Sequence, residues 1–192
     1  MSALTDGPLL WYLNRSTGVT LMVLLTLTTA LGILSAREGR RRLVPGIVTQ
    51  GLHRNLALFS LVLLLAHVAT AVTDTFVDIR WWQAVSPVGA TYKPFWLGAG
   101  SLALDVMLLI VVTSLLRDRI PHRLWRAVHW LSYLAWASAM VHGAGIGTDQ
   151  PTAWGRWTGI GCLAAVAAAA ALRVVADARA TRDPSLASAA VR

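Results

Sequence analysis

Residues 52–72 read LHRNLALFSLVLLLAHVATAV, an apolar run of the length that crosses a bilayer. Two histidines interrupt it, His53 and His67, and ionisable side chains inside a span are costly enough to mark function. They stand fourteen residues apart, which in a helix is ~21 Å along the axis and ~40° around it. One helix face therefore carries an imidazole near each side of a membrane. A second stretch, Leu124–Ile146, repeats the pattern with His129 and His142.

The remaining composition agrees with a membrane chain. Of 192 residues, 56% are hydrophobic and only 14% charged, against about a quarter in a soluble domain. The expected fold is an all-α integral membrane protein, one domain over 1–176. Five spans are predicted, at about 11–36, 50–72, 95–116, 124–146 and 154–176, followed by a disordered cytoplasmic tail over 177–192. The formal charge of +8 comes from arginines between spans, so it points to headgroups and orientation rather than to nucleic acid. The single cysteine, Cys162, excludes an intramolecular disulfide or a Cys-rich metal centre and reads as a small buried hydrophobe. The N-terminus lacks the basic region of a cleaved signal, and no Gly-rich loop follows a strand to hold a dinucleotide.

Basic residues set the orientation. If the loop between the first two spans, the loop between spans three and four and the C-terminus face the cytoplasm, that side holds 13 of the 17, Arg54 included. Arg15, Arg80, Lys93 and Arg156 fall on the other side. The N-terminus is expected outside and the C-terminus inside, in a bacterial inner (plasma) membrane. The Trp81–Trp82 loop is expected near the outer interface.

In that topology spans two and four run the same way, and the histidines pair by depth, His53 with His129 and His67 with His142. A pair of neutral imidazoles suits a six-coordinate haem iron dedicated to one-electron transfer. Two six-coordinate haems between helices 2 and 4 are thus expected, one inner and one outer. Ligands ~20 Å apart along each helix cannot form one tetrahedral zinc site. One difficulty stands out. His129 and His142 are thirteen apart, ~140° around an ideal helix, so span four must be kinked, wound differently or strongly crossed. A π-bulge or Gly143 is the expected cause.

Arg54 and Arg126 flank the inner pair and Arg15 approaches the outer one. They are candidates for haem propionates, with lipid headgroups the alternative. Asp105, halfway along span three, is a candidate hydrogen-bond partner for a ligating imidazole, or is protonated and satisfied by Ser101, by polar atoms on the Thr113 side or by another helix. Tyr133 and Trp136 line the cavity or a helix contact, His122 is solvated, and Gly155 with Gly159 serves packing within the domain. The competing reading is a non-redox scaffold or small transporter in which Asp105 and the histidines serve packing or proton relay.

With these residues in view, the chain resembles the ferric reductase-like transmembrane domain family, which includes the haem membrane subunit of the periplasmic methionine sulfoxide reductase system and, more distantly, the membrane core of NADPH oxidases. The motifs are NRSTG at 14–18, HR at 53–54 with a histidine fourteen later, TSLLR at 113–117, LWRAVHWLSYLAW at 124–136 and VHGAGIGTD at 141–149. The resemblance implies that His53, His67, His129 and His142 ligate b-haems and that electrons cross the membrane. It covers about 11–149 and lacks the FAD- and NADPH-binding domain of the oxidases. The expected donor is therefore quinol, a separate flavoprotein or another membrane partner, with flavin or quinone as further candidate cofactors.

Overall fold

The computed structural model describes residues 8–35, 46–75, 77 and 79–182. The arginine cluster at 37–42 and the last ten residues lie outside them. The described residues are helical, with no strand among them. The order is α1 (Pro8–Ser35), α2 (Gly46–Thr73), a short α3 (Trp81–Val85), α4 (Pro94–Leu115), a 3₁₀ turn (Arg117–Arg119), α5 (His122–Trp130), α6 (Ser132–Ile146) and α7 (Ala153–Arg182).

Four helices are long and apolar enough to cross a membrane: α1, α2, α4 and α7. Their large side chains mostly face outward, as with Phe59, Val62 and Leu65 on α2. Surface of that kind is unfavourable in water and favourable in lipid, so this is a multi-pass membrane protein. The stretch expected to be span four is divided at Leu131 into α5 and α6. The break replaces the expected π-bulge or Gly143 kink. Leu131 N–H bonds the Val128 carbonyl at 2.9 Å, an i−3 contact that tightens the turn, and α6 starts afresh at Ser132. The last helix runs to Arg182, six residues into the segment expected to be a disordered tail.

α1 is the spine and packs against α2, α6 and α7. α4 packs against α6, α5 and α3. α2 and α6 do not pack extensively on each other, so a gap between them is bounded by α1 and α4. Two contacts tie α7 in place. Cys162 is buried with Sγ 4.0 Å from the Met22 carbonyl, and Arg173 Nη1 donates to Ile33 O at 3.1 Å, satisfying a carbonyl near the end of α1. A Cβ on Gly155 would strike the Asp149 carbonyl, so the small residues of α7 seat it on the 147–152 turn, within the domain as expected.

Candidate functional site

The four histidines come together in the expected pairs. The His53 and His129 rings lie 6.1 Å apart between centroids, at 66°. The His67 and His142 rings lie 6.3 Å apart, at 90°. The Leu131 break falls between His129 and His142, where an unbroken ideal helix would set the two rings ~140° apart.

Three of the rings are held by their Nδ1 atoms. His67 Nδ1 donates to Asn14 O, His53 Nδ1 to Thr28 O, and His142 Nδ1 to Trp96 O, each at 3.0 Å. A proton fixed on Nδ1 leaves the lone pair on Nε2, the arrangement a metal-ligating imidazole requires. These carbonyls belong to helices and already face an i+4 N–H. They stay open to a second donor because the residue four places on is glycine in every case: Gly18, Gly32 and Gly100. A helical side chain covers the turn preceding it, so its absence bares the carbonyl. Each ring lies over that glycine. A Cβ at Gly18 would stand 3.0 Å from His67 Cε1, one at Gly32 3.5 Å from His53 Cε1, and one at Gly100 would overlap the His142 ring.

On α1 and α2 this unit occurs twice in a single antiparallel register. Asn14 and Gly18 recur fourteen residues later as Thr28 and Gly32, just as His53 recurs as His67. The Asn14 amide closes the outer copy by donating to the His67 carbonyl at 2.9 Å. Fourteen residues is close to four full turns, so both copies share a face. This duplication was readable in the sequence as matched spacing of Gly18/Gly32 and His53/His67, yet only the two histidines carried a visible signal.

A cavity of ≈ 290 Å³ opens against His67 and His142, walled by apolar side chains such as Leu21, Met22 and Leu104. Arg15 and Asp149 line it as well. Arg15 is committed to Asp149 in a two-point ion pair, Nε donating to Oδ2 at 2.7 Å, and it stacks on Trp11 at 4.9 Å. Its guanidinium is thus neutralised by a protein carboxylate, which sequence reasoning missed because 134 positions separate the partners. Arg54 and Arg126 are exposed beside the inner pair and carry no ion pair among the described residues.

Asp105 is half-buried in α4 and bonds none of the imidazoles. The hydroxyls expected to satisfy it are engaged elsewhere. Ser101 donates to Gln83 O at 2.7 Å and Thr113 to Leu109 O at 2.8 Å. Trp136 joins helices, its Nε1 donating to Thr26 Oγ1 of α1 at 3.0 Å, at a level between the two pairs. Tyr133 and His122 are exposed. No cluster of three or more His, Cys, Asp or Glu suited to a bare metal ion occurs among the described residues. The donor sets are pairs, and a pair of imidazoles completes an iron whose other ligands come from a macrocycle.

Fold and site together define a helical membrane protein with two facing imidazole pairs at different depths. The chain belongs to the family described as Domain of unknown function (DUF8596), whose model matches residues 9–149. That span contains all four histidines, the three glycines beneath them and the Arg15–Asp149 pair, and omits α7. No curated protein and no solved structure matches the chain.

Proposed function

We propose that this protein is a transmembrane di-haem b-type cytochrome, similar to the ferric reductase-like membrane domains, that passes single electrons between a quinol or flavoprotein donor and a partner acceptor. The observation that carries the reading is the imidazole geometry. An iron bonded at ~2 Å to a nitrogen on each side places the two ring centroids roughly 6 Å apart. The observed 6.1 and 6.3 Å fit that requirement, and among the described residues no third His, Cys, Asp or Glu joins either pair in a cluster suited to a metal. The Nδ1 anchors, the bared glycines and the gap between α2 and α6 support it further.

When bound, haem would supply reversible one-electron chemistry. The chain's own residues do the positioning. His53 with His129 would hold the inner group, and His67 with His142 the outer one. Asn14, Thr28 and Trp96 fix the tautomer and orientation of three ligands through their carbonyls. Arg54 and Arg126 would meet propionates at the inner end, whereas Arg15 would act at the outer end only as half of its pair with Asp149. In this reading α5 and α6 cross the membrane together as a fifth, broken span, with the N-terminus outside and the C-terminus in the cytoplasm of the inner membrane. The two levels are ~21 Å apart along α2, which covers most of the ~30 Å hydrocarbon layer.

A reduced-minus-oxidised spectrum of the purified protein, with haem quantified per chain, tests this directly. Two b-type haems per chain are expected. His67→Ala or His142→Ala should each remove one and spare the other. A colourless protein from haem-replete cells would return the histidines to interhelical contacts and favour the scaffold or transporter.

A further inference from the structure

Three of the four imidazoles hang from a backbone carbonyl, and His129 is held in another way. Its Nδ1 is buried and has no hydrogen-bond partner among the described residues. What the ring does meet is Trp125. The two ring centroids lie 5.1 Å apart and the planes are 21° from parallel, a stacked arrangement. The two residues are four apart on α5, so they sit one above the other on one face of the same helix. The contact lies wholly before the Leu131 break and needs no register between helices.

Trp125 is itself fixed from several directions. Its Nε1 donates to Ser114 Oγ of α4 at 3.4 Å. The Arg117 guanidinium of the 3₁₀ turn lies 5.3 Å from its ring centroid, within cation–π reach. His122, three residues earlier on α5, lies 5.5 Å away at 38°. The half-buried indole is thus pinned between the end of α4 and the start of α5, with its ring against His129.

We propose that Trp125 is the positioning residue of His129. Its stack sets the ring plane that a hydrogen bond to a carbonyl sets at the other three histidines. Turning the imidazole about its Cβ–Cγ bond swings the plane off the indole face, so the stack resists that rotation. A coordinated imidazole is poorer in electrons than the free ring, and an indole face, negative at its centre, holds it more firmly. This inference rests on the di-haem reading above.

The test uses the full chain in lipid nanodiscs. Haem per chain, the rate of haem loss, the low-spin EPR signals and both midpoint potentials are measured for wild type, Trp125→Leu and Trp125→Phe. The EPR signal of an iron between two imidazoles reads the angle between the ring planes, which a change in folding stability alone does not move. His67→Ala, which keeps the inner site, assigns the inner signals. Trp125→Leu keeps an apolar helix former but removes the ring. It should speed inner haem loss roughly 3- to 10-fold and shift the inner EPR signal. It should also raise the inner midpoint, because the electron-rich indole favours the more positive ferric state. The outer signals should not change. Trp125→Phe should return the EPR signal to its wild-type position and restore most of the retention. A two-haem wild type whose inner EPR signal and haem loss ignore Trp125→Leu would overturn the positioning role and leave the haem reading standing. Equal loss of both haems in Trp125→Leu, or a Trp125→Phe variant as impaired as Trp125→Leu, would likewise overturn it. A wild type without haem would overturn both.

Discussion

At the scale of single residues, glycine does work at this site that a hydrophobicity plot does not register. The three glycines under the rings differ in clearance, and that orders the cost of adding a methyl group. Gly100→Ala places a Cβ inside the His142 ring and should displace it, costing roughly 1–3 kcal/mol and the outer haem. Gly18→Ala, at 3.0 Å, should be intermediate, and Gly32→Ala, at 3.5 Å, close to neutral. Haem content and thermal midpoint across the three variants check the order; a uniform response would sink the clearance argument. The Arg15–Asp149 pair gives a second residue-scale prediction. The Asp149 side chain is only 7% exposed, so Asp149→Asn should leave a poorly hydrated guanidinium and cost ~1–3 kcal/mol. Arg15→Gln in the same chain should recover part of that, measured as a double-mutant cycle with a coupling of ~0.5–3 kcal/mol.

At the scale of elements, the break at Leu131 lies between the two histidines of the α5–α6 segment, and its effect on their pairing is testable. Inserting a single alanine after Leu131 turns α6 by ~100° relative to α5. The two histidines should then no longer share a side, and haem per chain should fall from two to one. Two retained haems would show that the break tolerates rotation and is not what sets the pairing. The contact of α6 with α1 is separately testable. Trp136→Phe removes the bond to Thr26 while keeping a ring, and should lower the unfolding free energy by ~1 kcal/mol without changing haem content.

At the scale of the whole molecule, the proposed orientation puts the loop holding α3 outside and the 3₁₀ turn in the cytoplasm. Val88 is 76% exposed on the first, and Asp118 is exposed on the second. In a Cys162→Ser background, Val88→Cys should react with a membrane-impermeant maleimide on intact spheroplasts, and Asp118→Cys only after permeabilisation. The reverse pattern would invert the topology and exchange the inner and outer assignments of the histidine pairs.

Hydropathy and spacing alone determined the membrane class, the approximate bounds of α1, α2, α4 and α7, and the pairing of His53 with His129 and His67 with His142. These are one-dimensional properties: length against bilayer thickness, and depth counted in residues along helices running the same way. The same counting showed that span four needed a distortion, but not where, because a one-residue change of hydrogen-bond pattern at Leu131 leaves no mark on composition. Tertiary structure decided the rest. It showed that Arg15 belongs to Asp149, that Asp105 bonds no imidazole, and that three of the four histidines hang from the carbonyls of Asn14, Thr28 and Trp96. A backbone carbonyl is common to every residue type. Which carbonyl meets which ring depends on the register between helices, and register emerges only once the helices are packed.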